Sequence, residues 1–162
     1  MSRTVLVTGS SRGIGRAIAK AFAKQGDRVV INYIERKAAA EQVKEEIIRE
    51  GGRAMVVQCD VSDEQQVKQM IATIEQEFSP VEVLVNNAGI AEMKLFTEIE
   101  TSTWERMFDV NVKGMYLCCK YVLPSMISRK KGKIVNTSSV WGLVGASCEA
   151  HYSATKGAIL AF

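Results

Sequence analysis

Apolar residues along this chain alternate between two rhythms. Short β-branched runs such as Thr4-Val5-Leu6-Val7-Thr8 and Arg28-Val29-Val30-Ile31-Asn32-Tyr33 read as strands, and longer stretches between them carry apolar residues every three to four positions. Ala17, Ile18, Ala21 and Phe22 follow the first run; Ala39, Val43, Ile47 and Ile48 form one later stripe, and Val67, Met70, Ile71 and Ile74 another, each read as the core-facing side of a helix. The pattern predicts strands near 4–8, 28–33, 53–59, 81–86 and 132–138, and helices near 13–25, 37–50, 63–78, 103–128 and from 152. Strict alternation of strand and helix builds a parallel sheet through right-handed crossovers. The expected fold is therefore α/β, a Rossmann-type doubly wound sheet of order 3-2-1-4-5 in one domain over residues 1–162. Its crevice would open between strands 1 and 4, where ligands collect.

Composition narrows the class without choosing the chemistry. The chain is 47% hydrophobic and 24% charged with a net charge of +3, enough apolar material for a core. Charged residues and glycines interrupt every apolar run well short of ~20 residues, and no export signal is present, so a cytoplasmic protein without a membrane partner is expected. The cysteines at 59, 118, 119 and 148 form no C-x-x-C, and His151 is the single histidine, so neither a disulfide nor a metal site is expected. His151 is read as a loop residue beside Tyr152, without an assigned role.

Two groups of residues carry chemistry. Gly9-Ser10-Ser11-Arg12-Gly13-Ile14-Gly15 lies between the first strand and the first helix. Glycines there let backbone approach a phosphate, and the free N–H groups of the helix end favour an anion. At the other end, Ser139, Tyr152 and Lys156 make a kit for protonating a carbonyl oxygen. Tyr152 and Lys156, four apart, share a helix face. A phenol ordinarily titrates at about 10, and a neighbouring ammonium lowers that, making it a usable acid or base. A tyrosine and a lysine one turn apart also occur by chance and then only face solvent.

Taken in order, the motifs resemble the short-chain dehydrogenase/reductase family across essentially the whole chain. Thr8–Gly15 is similar to its cofactor turn, with Gly9, Ser11, Arg12, Gly13, Ile14 and Gly15 implied in dinucleotide binding; Asp60 and Val61 are similar to its adenine contact, and Asn87, Ala88 and Gly89 belong to its N-N-A-G segment. Asn111, Ser139, Tyr152 and Lys156 match its catalytic set. The resemblance implies a nicotinamide-dependent carbonyl reductase or alcohol dehydrogenase. Tyr152 would donate the proton, Ser139 would fix the carbonyl oxygen, and Lys156 would bind the nicotinamide ribose and lower the tyrosine pKa. Asn111 would hold a water that relays protons, and Tyr152 and Lys156 would count among the cofactor contacts. Tyr33 stands where an NAD-type aspartate is placed, with Arg12, Arg36 and Lys37 nearby, so NADP(H) is favoured over NAD(H). Glu35 is the residue that argues the other way.

Within that family the chain most resembles the reductases of 3-oxoacyl groups held on an acyl carrier protein. That implies a small-molecule or carrier-bound carbonyl substrate, an acidic acyl carrier protein as partner, and a homodimer or homotetramer built through the helices near 103–128 and from 152. Arg129-Lys130-Lys131-Gly132-Lys133 reads first as a solvated helix end and is compatible with an acidic partner. Nucleic acid binding has no other support. Glu149, three residues before Tyr152, either caps the last helix or selects a substrate bearing an amine.

Two other motif matches lack their context. Gly9–Gly13 also fits G-x-S-x-G, the nucleophile elbow, but only one strand precedes Ser11, and the elbow needs earlier ones. Asn136-Thr137-Ser138 fits a glycosylation site but ends a strand expected to be buried, in a chain without a secretion signal. A departure from the family lies at Phe162, which follows Gly157-Ala158-Ile159-Leu160-Ala161 without a cap or polar tail. It reads as an interrupted sequence, lacking two further strands and the segment that closes over substrate. The alternative to an enzyme is thus a non-catalytic dinucleotide-binding fragment, and these residues alone are expected to be unstable or inactive, with an unpaired edge at 133–137.

Overall fold

The computed structural model describes residues 2–162. Five parallel strands, β1 (Thr4–Val7), β2 (Arg28–Tyr33), β3 (Arg53–Gln58), β4 (Val83–Asn86) and β5 (Lys133–Asn136), form one sheet in the order β3-β2-β1-β4-β5. That is the expected order. Register sets Val5 beside both Val29 and Val83.

Side-chain alternation along these strands sorts the core into two layers. Val5, Val7, Val29, Ile31, Val83 and Val85 face α1 (Gly13–Lys24) and α2 (Lys37–Arg49), meeting Ala19, Ala40, Val43 and Ile47. Leu6, Val30 and Leu84 face the other way, onto α3 (Glu64–Glu77) and α5 (Gly114–Ser128), where Val67, Ile74, Leu117 and Val122 wait. Covered on both faces, β1 and β4 are buried throughout, which is why their sequences are almost wholly apolar. The β5 strand differs. Among the described residues it pairs with β4 alone, and Val135 is 50% exposed. The strand leading to Asn136-Thr137-Ser138 is thus not buried as expected, because no described strand covers its outer edge.

Four elements depart from the expected ones. The helix expected over 103–128 begins as α4 (Thr101–Phe108), widens into a π turn at Asp109–Lys113 and continues as α5. Apolar periodicity runs across the break, so the pattern could not reveal it. A 3₁₀ turn at Phe96–Glu98 and a short α6 (Trp141–Val144) were not expected at all, being too short for periodicity to register. The last helix, α7 (Ala150–Ala161), starts before Tyr152 and takes in His151, which is fully buried in its first turn and so is not a loop residue. No helix among the described residues is long and apolar enough to cross a membrane.

Candidate active site

The chain leaves β1 in a turn too tight for side chains. A Cβ on Gly9 would lie 2.9 Å from Ala88 Cα, and one on Gly15 would lie 2.6 Å from the Gly9 carbonyl oxygen. Gly9 and Gly13 also have φ of 62° and 56°, which glycine adopts without strain. Polar side chains then lace the turn to its neighbours. Thr8 Oγ1 accepts from the Asn87 and Ala88 N–H groups, both at 3.0 Å, and Asn87 Nδ2 donates to the Thr8 carbonyl at 2.9 Å. Asn32, buried at the end of β2, accepts from the Gly9 N–H at 3.0 Å and donates to the Cys59 carbonyl at 3.0 Å. One amide thus ties the turn to β2 and β3.

These contacts frame a cleft of about 630 Å³, within the usual range for small-molecule sites. Every cofactor residue expected from the sequence, apart from Tyr152 and Lys156, lines it. So do Asn32, Glu35, Ile90 and Arg106, which were not on that roster. A dinucleotide fits what is present. The first turn of α1 has no acidic residue, Arg12 supplies no side-chain cap, and a Cβ on Gly13 would meet nothing within 4 Å, so free N–H groups open on the cleft. At the β2 end the rim mixes Arg12 and Arg36 with Glu35, and Tyr33 is buried. Burial and the neighbouring Asp60 and Asp63 push the Cys59 thiol up to about 12, so it offers no nucleophile.

Beyond Gly89 the cleft meets the catalytic candidates. Asn111 sits in the π turn, almost fully buried: its Oδ1 accepts from the Ile90 N–H at 2.8 Å, while Nδ2 donates to the Ile90 carbonyl at 2.9 Å and to Thr155 Oγ1 at 3.0 Å. The widened turn aims this side chain at the backbone after the N-N-A-G segment, and π turns recur at functional sites. Lys156 is buried on α7 and donates to the Thr137 carbonyl at 2.8 Å; burial pulls its pKa below the ordinary lysine value. Its Nζ lies 5.5 Å from the centre of the Tyr152 ring, and a Cβ on Gly89 would sit 3.7 Å from it. Lysine, tyrosine and the cleft are contiguous.

Ser139 follows β5, and its Oγ accepts from the Trp141 N–H at 3.3 Å; among the described residues no hydrogen bond joins it to Tyr152. Ser138 Oγ donates to the Lys156 carbonyl at 2.8 Å, and Gly142 packs so closely on α7 that a Cβ would meet the Lys156 carbonyl carbon at 2.6 Å. The 137–142 segment is therefore clamped onto the helix carrying Tyr152 and Lys156. Both ring nitrogens of His151 are buried without a partner among the described residues, and Glu149 makes no side-chain cap on α7.

Residues 3–162 match the short chain dehydrogenase family. The chain belongs to that family. Among curated relatives, this short-chain dehydrogenase is 42% identical over 161 residues to a 3-oxoacyl-[acyl-carrier-protein] reductase of Synechocystis, covering 99% of this chain and 65% of the relative. It is 41% identical over 160 residues to the FabG reductase of the same name from Staphylococcus aureus, with 99% and 65% covered. Against that of Staphylococcus epidermidis it is 39% identical over 160 residues, with 99% and 66% covered. The chain spans about 65% of the length of the first two.

Of the residues that shape the site, Thr8, Asn32, Thr137 and Thr155 were not singled out as site residues from the sequence. Thr8 and Asn32 are polar residues at the ends of apolar strands, a signal that could have marked them. Thr137 acts through its backbone and Thr155 through a partner 44 positions away, so no local pattern betrays them.

Proposed function

We propose that this short-chain dehydrogenase reduces a carbonyl to an alcohol with NADP(H), and that its substrate is a 3-oxoacyl thioester. The observation that carries the reading is the continuity of the glycine-turn cleft with the Lys156–Tyr152 pair across Gly89. The nicotinamide, when bound, supplies the hydride. Gly9–Gly15 hold the pyrophosphate, Arg12 and Arg36 face the ribose phosphate, and Asp60 and Val61 border the base. Tyr152 gives its proton to the carbonyl oxygen, and Ser139 donates a hydrogen bond to that oxygen and fixes it. Lys156 keeps two N–H donors beyond the one on Thr137, enough to hold a ribose hydroxyl while its charge stabilises the phenolate. Asn111 anchors the loop on which a relay water would rest.

The relatives' names support the carrier, and exposed surface supports the assembly. In the basic run, Arg129 is committed to the Val81 carbonyl at 2.8 Å and Lys131 to Glu82 at 2.6 Å, leaving Lys130 and Lys133 exposed for an acidic carrier protein. On α5, Tyr116, Leu123 and Ile127 are exposed, as is Leu160 on α7, which favours pairing with further copies into a dimer or tetramer. A second reading, an amine-bearing ketone, is favoured by the Glu149 carboxylate, which is not spent on capping. Replacing Glu149 by Gln and comparing neutral with cationic ketones decides between them, because unchanged discrimination eliminates it.

The test is loss of NADPH absorbance with an acetoacetyl thioester, for the wild type and Tyr152→Phe. Turnover that falls about 10²- to 10⁴-fold in the variant supports the reading. Dinucleotide binding without tyrosine-dependent turnover would leave a non-catalytic binding module.

A further inference from the structure

Arg106 belongs neither to the glycine turn nor to the catalytic set, yet it lines the cleft from α4 beside Asp60. Its guanidinium forks over two acceptors, Nη2 donating to Asp60 Oδ2 at 3.0 Å and Nη1 to Ser62 Oγ at 2.7 Å. Ser62 in turn gives its hydroxyl and its N–H to Asp60 Oδ1, at 2.7 and 2.9 Å. Three donors therefore set the plane of one carboxylate. The two donors on Oδ1 occupy both its lone pairs, and Oδ2 keeps one free. Burial pushes the Asp60 pKa up, but the Ser62 and Arg106 hydrogen bonds outweigh it and hold the acid below its ordinary value. The remaining lone pair accepts only; it has no proton to give.

Which ligand group meets that lone pair follows from the direction of the cleft. Lys156 and Tyr152 mark the end for the reacting ring, the turn at Gly9–Gly15 marks the phosphates, and Asp60 stands at the end of β3, two strands beyond β1. The group at the far end of a dinucleotide is its purine. A purine with an exocyclic amino group at position 6 offers a donor there, whereas a 6-oxo purine sets an acceptor against an anion. We propose that Arg106 is a positioning residue that, by fixing the Asp60 carboxylate, selects a 6-amino purine over a 6-oxo purine. The proposal rests on the dinucleotide reading above. A fork is needed to reach both Ser62 and Asp60, so lysine at this position keeps the charge and loses half the geometry.

Titration of the chain with NADPH and with its hypoxanthine analogue, read by reduced-nicotinamide fluorescence, tests this without turnover. The wild type is expected to prefer the adenine form by about tenfold or more, the factor that a hydrogen bond to a charged acceptor carries. In Arg106→Gln the preference shrinks to about threefold or less while thermal stability holds, since the exposed ion pair contributes little to folding. Arg106→Lys falls between, and Asp60→Asn loses the preference or reverses it. An undiminished preference in Arg106→Gln overturns the proposal, as does an equal loss of affinity for both dinucleotides. A wild type that binds neither overturns the cofactor reading itself, a different failure.

Discussion

Two helices start from the carboxyl ends of parallel strands, and their first turns are treated in opposite ways. At α3 the Asp63 carboxylate accepts from the Gln65 and Gln66 N–H groups at 2.9 and 3.1 Å, and Gln66 reaches back to the Asp60 N–H at 2.9 Å. Asp63 thus caps the helix, and Gln66 ties the same turn to the backbone before it. At α1, which follows β1 as α3 follows β3, no side chain among the described residues fills the corresponding place. Absence of a side-chain cap alone would say little, because α2, α4 and α7 also lack one. What separates α1 is where its open end points, onto the cleft floored by Gly9 and Asn87.

The same division runs through the buried charges. Asp27 is matched by a two-pronged Arg3, at 3.0 and 2.6 Å. Lys156, equally buried, has one carbonyl for company. Asp27 serves the fold, whereas Lys156 keeps donors for the cleft.

Substitutions on the two sides of this division should therefore do opposite things. Lys156→Met should cut turnover about 10²- to 10⁴-fold, with thermal stability unchanged or raised. Burial lowers the lysine pKa in the folded state, so the unfolded chain holds the proton over the interval between that lowered value and 10.5. Wild-type stability should accordingly rise relative to the variant as pH climbs through that interval, which melting curves against pH would check. A falling difference would contradict it.

Asp63→Ala should do the reverse, costing about 1 kcal/mol of stability and leaving NADPH affinity within about twofold, a change too small to count against binding energies. An equal effect on both would dissolve the distinction between the two helix ends. The smallest effect is expected at Glu46, which hydrogen bonds from Arg16 and Lys20 hold at about 2. Its contribution is full above 4.5 and fades as pH falls toward 2, so Glu46→Gln should flatten the acid limb of the stability profile and converge with wild type at its foot. A constant gap down to pH 2 would show that the carboxylate charge is not what joins α1 to α2.

Much of this was legible before any coordinates, because strands buried on both faces and helices buried on one leave different periodicities. The five strands and their order emerged from that difference. The glycine turn was legible for a related reason, since Gly9 and Gly15 stand where no other side chain fits. The π turn was hidden because Phe108, Val112 and Met115 keep four- and three-residue intervals across it, and only Asn111 bonding to Ile90 accounts for the extra residue. His151 was misread because its neighbour, a short loop, is polar, while its own burial depends on packing against distant elements. Arg106 was invisible as a partner of Asp60, 46 positions apart, since the sequence cannot tell one exposed arginine from another.

The central claim, that the open end of α1 receives the phosphates of a dinucleotide, is tested most directly at Gly13. Aspartate is among the few residues other than glycine found at a left-handed backbone, its Cβ would meet nothing within 4 Å, and its charge favours a helix N-terminus. Gly13→Asp should leave the chain folded at a cost of about 1–2 kcal/mol for the left-handed backbone, while weakening NADPH about hundredfold or more, because like charges brought together cost several kcal/mol. Unchanged NADPH affinity in a folded Gly13→Asp chain would contradict the account.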